Sequence, residues 1–239
     1  MLDIQVSLRK TSLVDYPGKI AAVIFLPGCN LRCPWCQNRE LVLGGKTAPG
    51  AIPLEHALEQ IEKRRKVLGG VVLSGGEPCL YRDLPALIRR IKDPGRLGLP
   101  VKLDTNGTFP AVLEELLSRT DPIDTRPDYI AMDLKIAPSR YAELLSIPKG
   151  ADNIGGHGIA SFESEASALA LGLEKSAALI RASGIAHEFR SLVLPGGFFS
   201  PADREALAAL AGDSPWNFRP FRPGNCLDPA WDEYTEVQK

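Results

Sequence analysis

The chain has 239 residues, 28 basic against 29 acidic side chains, a formal charge of −1, and 44% apolar against 24% charged residues. That length supplies one well-buried core and is too short for two full catalytic domains, so a single domain over residues 1–239 is expected. The charge balance excludes the basic footprint of extensive nucleic-acid binding, and the composition excludes wholesale disorder. MLDIQVSLRKTSLVDYPG has no long apolar h-region or small-residue cleavage site, and no later stretch reaches about eighteen continuous apolar residues. A cytoplasmic protein without a membrane partner is the expectation.

KIAAVIFLPG (19–28) is an apolar run ending in Pro-Gly, which reads as a buried strand delivering whatever follows it. Pro53 suits the first turn of a helix running to about residue 68, with Leu54, Leu58, Ile61 and Leu68 as its stripe and Gly69-Gly70 as its stop. GVVLSG (70–75) is the next strand, and a helix centred on Leu84, Leu87, Ile88 and Ile91 follows. VKLDTNG (101–107) runs into an Asn-Gly turn before a helix over 110–118. YIAMDLK (129–135), a long helix near 162–182, AHEFRSLVLPG (186–196), a short helix over 203–211 and WNFRPF (216–221) complete the series.

Strands alternating with helices at this spacing require parallel pairing with right-handed crossovers. An open doubly wound sheet and a barrel both satisfy that pattern. The first strand leads into cysteines rather than a Gly-rich phosphate loop, and polar groups recur after nearly every strand at one rim. The fold class expected is therefore α/β, a partial open (β/α)6 TIM-like barrel. Residues 10–18, the Gly/Pro-rich stretch 146–158 and the C-terminal segment 220–239 are the rim candidates.

Five cysteines form an odd set, and three crowd into CNLRCPWC: Cys29, Cys33 and Cys36, within a loop at 28–38. Such spacing in a reducing compartment holds a metal or cluster more readily than a disulfide framework. Three tight thiolates after a strand end suit a [4Fe–4S] cluster with one iron left without a protein ligand. Two alternatives stay open on the residues: a structural zinc completed by Cys79, His56 or Cys226, and a redox dithiol at Cys33-Pro34-Trp35-Cys36.

CNLRCPWC resembles the CxxxCxxC motif of the radical S-adenosylmethionine (SAM) superfamily, and SGGEP (74–78) resembles its second motif. KTSLVDYPGKIAAVIFLPGCNLRCPWCQNREL (10–41) is similar to activating proteins of glycyl radical enzymes, above all those of anaerobic ribonucleoside-triphosphate reductase. The likeness continues through DTNG, MDLK, EFRSLVLPG and FRPFRPGNCLDP. It implies that Cys29, Cys33 and Cys36 ligate three irons and that SAM chelates the fourth. It further implies a 5′-deoxyadenosyl radical acting on a glycine of a partner glycyl radical enzyme, with flavodoxin or ferredoxin as electron donor.

The same resemblance places the SAM amino group at the Gly75-Gly76 edge, where absent Cβ atoms let backbone approach a ligand, with Glu77 touching that group or bracing the loop. Asp104, Thr105 and Asn106 offer an acceptor, a hydroxyl and an amide for ribose or the methionyl portion, although an Asx turn before Gly107 would use them equally well. Asp133 and Lys135 share a strand face with Tyr129 and Ala131. They suit the cofactor's carboxylate or ribose, with a monovalent cation as in activases carrying a similar DLK segment, or a simple ion pair. Arg190 shares a face with Glu188, and an inward guanidinium needs a partner there, Glu188 or the SAM carboxylate; an ion pair on the outer face is the alternative. Trp35 is placed to cover the adenine, shield the cluster or pack in the core.

Two departures matter. No histidine follows His187, whereas pyruvate formate-lyase activase uses a late one near the ribose; Asn217 is the available polar substitute. Residues 37–52 hold no cysteine, so the inserted ferredoxin-like domain of many activases is absent and one cluster is expected. The competing functions are a radical SAM enzyme acting on a small molecule or modified nucleotide, and a zinc-stabilised binding module.

Overall fold

The computed structural model describes residues 3–43, 50–118, 125–145 and 159–234. Among these residues eight strands form one sheet in the order β3-β1-β2-β4-β5-β6-β7-β8. Six of them run parallel: β2 (Ala21–Leu26), β4 (Gly70–Gly75), β5 (Val101–Thr105), β6 (Tyr129–Asp133), β7 (Ala186–Val193) and β8 (Trp216–Pro220). These are the six expected strands, and the sheet is the open, partial barrel that the alternation implied. Two strands escaped the sequence reading. β1 (Gln5–Ser12) pairs antiparallel with β2, and the two-residue β3 (Ile52–Pro53) pairs antiparallel with β1. QVSLRKTS has too few apolar residues to announce itself; only Val6 and Ser12 of β1 are buried.

The helices between strands are α1 (Arg39–Leu43), α2 (Leu54–Glu62), α3 (Leu84–Lys92), α4 (Pro110–Ser118), α5 (Ile159–Ala182) and α6 (Pro201–Ala211). α2 ends six residues before the expected stop. Its buried stripe finishes at Ile61, the next four residues are Lys63-Arg64-Arg65-Lys66, and Val67 is exposed, so a further turn would bury nothing and align four cations. Short turns carry the chain to Leu68, and Gly69 N–H donates to the Ile20 carbonyl at 2.7 Å.

Apolar residues alternate between the two faces of the sheet. Ile24 and Leu26, Val71 and Leu73, Val101 and Leu103, Ile130 and Met132, and Phe189 meet the helices on the outer face, where α3 inserts Leu84, Leu87, Ile88 and Ile91. Each such side chain contributes about 1.5–3 kcal/mol when fully buried. On the concave face a smaller cluster of Tyr16, Ala21, Val23 and Val72, flanked by Phe25 and Tyr129, plugs the bottom of the barrel. The C-terminal ends of the strands are thereby left to polar side chains. The rim loop 146–158 lies outside the described residues. Among those described, no helix is long and apolar enough to cross a membrane.

Candidate functional site

A cavity of about 340 Å³ opens at those strand ends, and Cys29, Cys33, Cys36, Gly75, Gly76, Asp104, Asp133, Lys135 and Arg190 all line it. β2 delivers the cysteines through Gly28, whose φ of 86° turns the chain out of the sheet. Backbone hydrogen bonds then fix the loop from several sides: Gly28 N–H to the Leu41 carbonyl at 2.8 Å, Arg32 N–H to Leu144 at 2.7 Å, and Cys36 N–H to Cys33 at 2.9 Å. The C-terminal segment closes over it, with Leu227 N–H donating to the Cys36 carbonyl and Asp228 N–H to that of Pro34, each at 2.9 Å. Burial pushes the Cys33 thiol up to about 12 and also raises Cys29, while the Lys135 ammonium works against both shifts. Iron binding would have to displace those protons, and the nearby ammonium favours the resulting thiolates.

The glycines of the second motif have a steric reason of their own. A methyl on Gly75 would overlap the Leu26 backbone, and one on Gly76 would overlap the Gly28 carbonyl; Gly75 also has a φ of 127°. This closeness lets Gly76 N–H donate to Leu26 O at 2.9 Å and Glu77 N–H to Gly28 O at 2.8 Å. The Gly75 carbonyl accepts from Asn38 Nδ2 at 3.2 Å. Glu77 is 0% exposed. Its carboxylate accepts from Cys79 N–H at 2.9 Å, Thr105 Oγ1 at 2.8 Å and Asn106 N–H at 2.6 Å, which makes it a brace between β4 and β5. Burial raises its pKa, and those donors resist the shift.

Thr105 and Asn106 belong to the same brace. Thr105 Oγ1 also accepts from Gly107 N–H at 3.1 Å, and Asn106 Oδ1 accepts from Thr108 N–H at 3.0 Å, closing the Asx turn. Asn106 Nδ2 donates to Asn30 Oδ1 at 3.0 Å, tying the end of β5 to the cysteine loop. Asn30 was not picked out from the sequence; nothing distinguishes one loop asparagine until its partner is known.

The opposite wall is ionic. Lys135 Nζ lies 2.8 Å from Asp133 Oδ2, Arg190 Nε donates to Asp133 Oδ1 at 2.8 Å, and Arg190 Nη1 reaches Asp104 Oδ1 at 3.4 Å. β6 and β7 place Asp133 directly opposite Arg190. Lys102, 1% exposed, approaches from below to pair with Asp104 Oδ1. Burial opposes ionisation of Asp133, but Arg190 and Lys135 outweigh it and hold the carboxyl well below the usual carboxylate range. Arg190 therefore faces inward. Its partners are Asp133 and Asp104, while Glu188 accepts from Asn217 Nδ2 at 2.8 Å. Lys102 was missed although the two-residue period that joins Asp133 to Lys135 also joins it to Asp104.

Trp35 lines the cavity, yet its indole sits in an aromatic cluster with Phe198 and Trp231, ring centroids 5.2 Å away in both cases. Of the zinc candidates, His56 is on the surface beside Glu59, Cys79 is buried next to Thr105, and Cys226 has its backbone N–H on Asp232. Among the described residues no three cysteine, histidine or acidic groups converge as a single-ion site. Three thiols spread around one cavity suit a cluster whose irons each take one of them. The cavity volume and its mixed donors likewise fit a ligand of SAM's size, with one charged wall and one backbone wall.

Residues 23–153, more than half of the chain, match the family profile described as the radical SAM superfamily. The chain belongs to that superfamily. A protein of Methanocaldococcus jannaschii, provisionally named a glycyl-radical enzyme activating enzyme, is 37% identical over 143 residues, 60% of this radical SAM chain and 55% of its own length. A 7-carboxy-7-deazaguanine synthase of Hyperthermus butylicus is 37% identical over 97 residues, 40% of this chain and 38% of its own. These matches span little more than half of one curated relative's length and less of the other's. The crystal structure of a radical SAM methyltransferase from Sphaerobacter thermophilus shares the fold, with a TM-score of 0.57 over 92% of this chain and 68% of that one at 16% identity.

Proposed function

We propose that the protein is a radical SAM activase that abstracts a hydrogen atom from a glycine Cα of a partner glycyl radical enzyme, anaerobic ribonucleoside-triphosphate reductase being the expected partner. The observation that carries the reading is that three cysteine thiols, a glycine edge and an ionic wall line one open cavity. Cys29, Cys33 and Cys36 would hold one [4Fe–4S] cluster, and the cluster with SAM, once reduced by flavodoxin or ferredoxin, supplies the 5′-deoxyadenosyl radical. Gly75 and Gly76 would offer backbone to the SAM amino group. Lys135 and Arg190 would face its carboxylate, and Asp104 would face the ribose or methionyl portion. Glu77, Thr105 and Asn106 would act by holding the two motifs in register. Trp35 and its aromatic neighbours would keep water from the cluster loop.

A protein partner suits the cavity's openness, since an inserted loop would complete its enclosure during the reaction. Leu13 and Val14 stand exposed in the 10–18 rim segment, beside cavity-lining Asp15. The likeness to the archaeal activase candidate supports the same reading. A second reading, a modified-nucleotide or other small-molecule substrate, is favoured by the likeness to the deazaguanine synthase. The test is anaerobic turnover with an intact glycyl radical protein labelled with deuterium at the glycine Cα. Deuterium in 5′-deoxyadenosine together with a glycyl radical resonance is expected. Label transfer from a small metabolite, with none from any candidate glycyl protein, would overturn the activase reading.

A further inference from the structure

The resemblance to activases with a similar DLK segment implies a monovalent cation beside Asp133, and the residues around Asp133 and Asp104 do not fit one. Of the four carboxylate oxygens, three are already taken by cationic side chains: Asp104 Oδ1 by Lys102 and Arg190, Asp133 Oδ1 by Arg190, and Asp133 Oδ2 by Lys135. Glu188, the remaining acid beside Arg190, is buried and held by Asn217. Asp104, Asp133 and Glu188 already face Lys102, Lys135 and Arg190, and Arg219 adds a further cation to the cavity lining, so an inorganic cation would have to displace an ammonium or guanidinium from its partner or add uncompensated charge to a half-buried site.

Lys102 is the informative member. It is 1% exposed, lies outside the cavity lining, and spans from the start of β5 up to Asp104, two residues on, while its ammonium also stands 6.0 Å from the Tyr129 ring centroid. A lysine is this deeply buried in a protein only when paired. Its only ion-pair partner among the described residues is a carboxylate that lines the candidate SAM cavity. We propose that Lys102, with Arg190, is a built-in counter-cation that holds Asp104 and Asp133 in place of a bound monovalent cation, so that SAM binding here is independent of sodium and potassium. Lys102 is a positioning residue, acting through Asp104 without touching the ligand. The inference rests on the SAM-site reading above.

The test measures the SAM dissociation constant of the anaerobic, cluster-loaded protein in potassium, sodium and tetramethylammonium chloride at equal ionic strength, the last being too large to enter the site. For the unsubstituted protein the three values are expected to agree within about twofold, a difference small against ordinary coupling between ligands. Lys102→Met leaves Asp104 only its longer contact to Arg190 and should create a cation requirement, with SAM binding about tenfold weaker in tetramethylammonium than in potassium; Lys102→Arg should restore salt independence. A merely structural lysine would weaken binding equally in all three salts. A tenfold or so loss for the unsubstituted protein in tetramethylammonium overturns the inference, and needs no variant to fold. Salt-independent weakening in Lys102→Met overturns the role of Lys102. Failure to bind SAM in every salt overturns instead the SAM-site reading on which the inference stands.

Discussion

The two walls of the cavity are built by different physics. On the β2–β4 side, position is set by backbone: Leu26, Gly28, Gly75 and Gly76 touch main chain to main chain, and Glu77 gathers the donors that remain. On the β5–β7 side, position is set by charged side chains that reach across strands, from Lys102 through Asp104 and Arg190 to Asp133 and Lys135. Backbone packing tolerates no extra atom and has little reason to rearrange when a ligand arrives. An ionic wall can exchange one partner for another, so it is the wall suited to recognising a charged cofactor. Substitutions on the two sides should therefore fail in different ways.

The largest effect is expected at the cysteines. Cys33→Ala should lose most of its iron and sulfide and all measurable SAM cleavage while keeping its secondary structure by circular dichroism; a folded variant with normal cluster content and turnover would refute the ligand assignment. Gly76→Ala should come next, because the added methyl meets the rigid Gly28 carbonyl rather than a flexible side chain. A cost of about 3 kcal/mol or more in urea unfolding is expected, against about 1 kcal/mol for Gly184→Ala, where a methyl has open space and only the φ of 72° is unfavourable.

A paired comparison sharpens the contrast between the walls. Asp133→Ala and Arg190→Ala should each weaken SAM binding about tenfold or more with cluster content nearly unchanged, read from SAM-induced changes in the reduced cluster's resonance. Glu77→Gln should do the reverse, lowering cluster content and stability by about 1–3 kcal/mol through its lost charge-assisted bonds. If both groups respond alike, the division into a backbone wall and an ionic wall is wrong.

The smallest effect concerns Asp203, which caps α6 through Ser200 and also accepts from Ala137 N–H at 3.0 Å, just beyond Lys135. Burial opposes its ionisation, yet the Ser200 hydroxyl, two backbone N–H groups and Arg140 hold its pKa below the ordinary value. A depressed carboxylate stabilises the fold above the unfolded pKa of about 3.9 and ceases to do so as pH falls through the folded value. Asp203→Asn should thus cost about 1 kcal/mol at pH 7 and show a shallower loss of urea midpoint between pH 5 and pH 3 than the unsubstituted protein.

The sequence by itself determined what is local. Apolar runs and their two-residue and helical periods located the six parallel strands and the helices from α2 to α6, though not the five-residue α1, because burial on one face imposes a pattern that a short window contains. The cysteine spacing and the glycine pair were equally visible, since each is a statement about a few consecutive residues. Tertiary structure alone decided which polar strand ends are committed and which are available. For Glu77, Thr105 and Asn106 the sequence left ligand contact, brace and Asx turn open, and only the pairing of β4 with β5 brings their hydrogen bonds together. Arg190 finds Asp104 and Asp133 across 86 and 57 residues of chain, and Lys102 acquires its meaning from that junction. β1 and β3 were invisible for the same reason: a strand with little burial, whether the two-residue edge β3 or β1 beside it, is defined by its neighbours' hydrogen bonds, and no local period announces a partner.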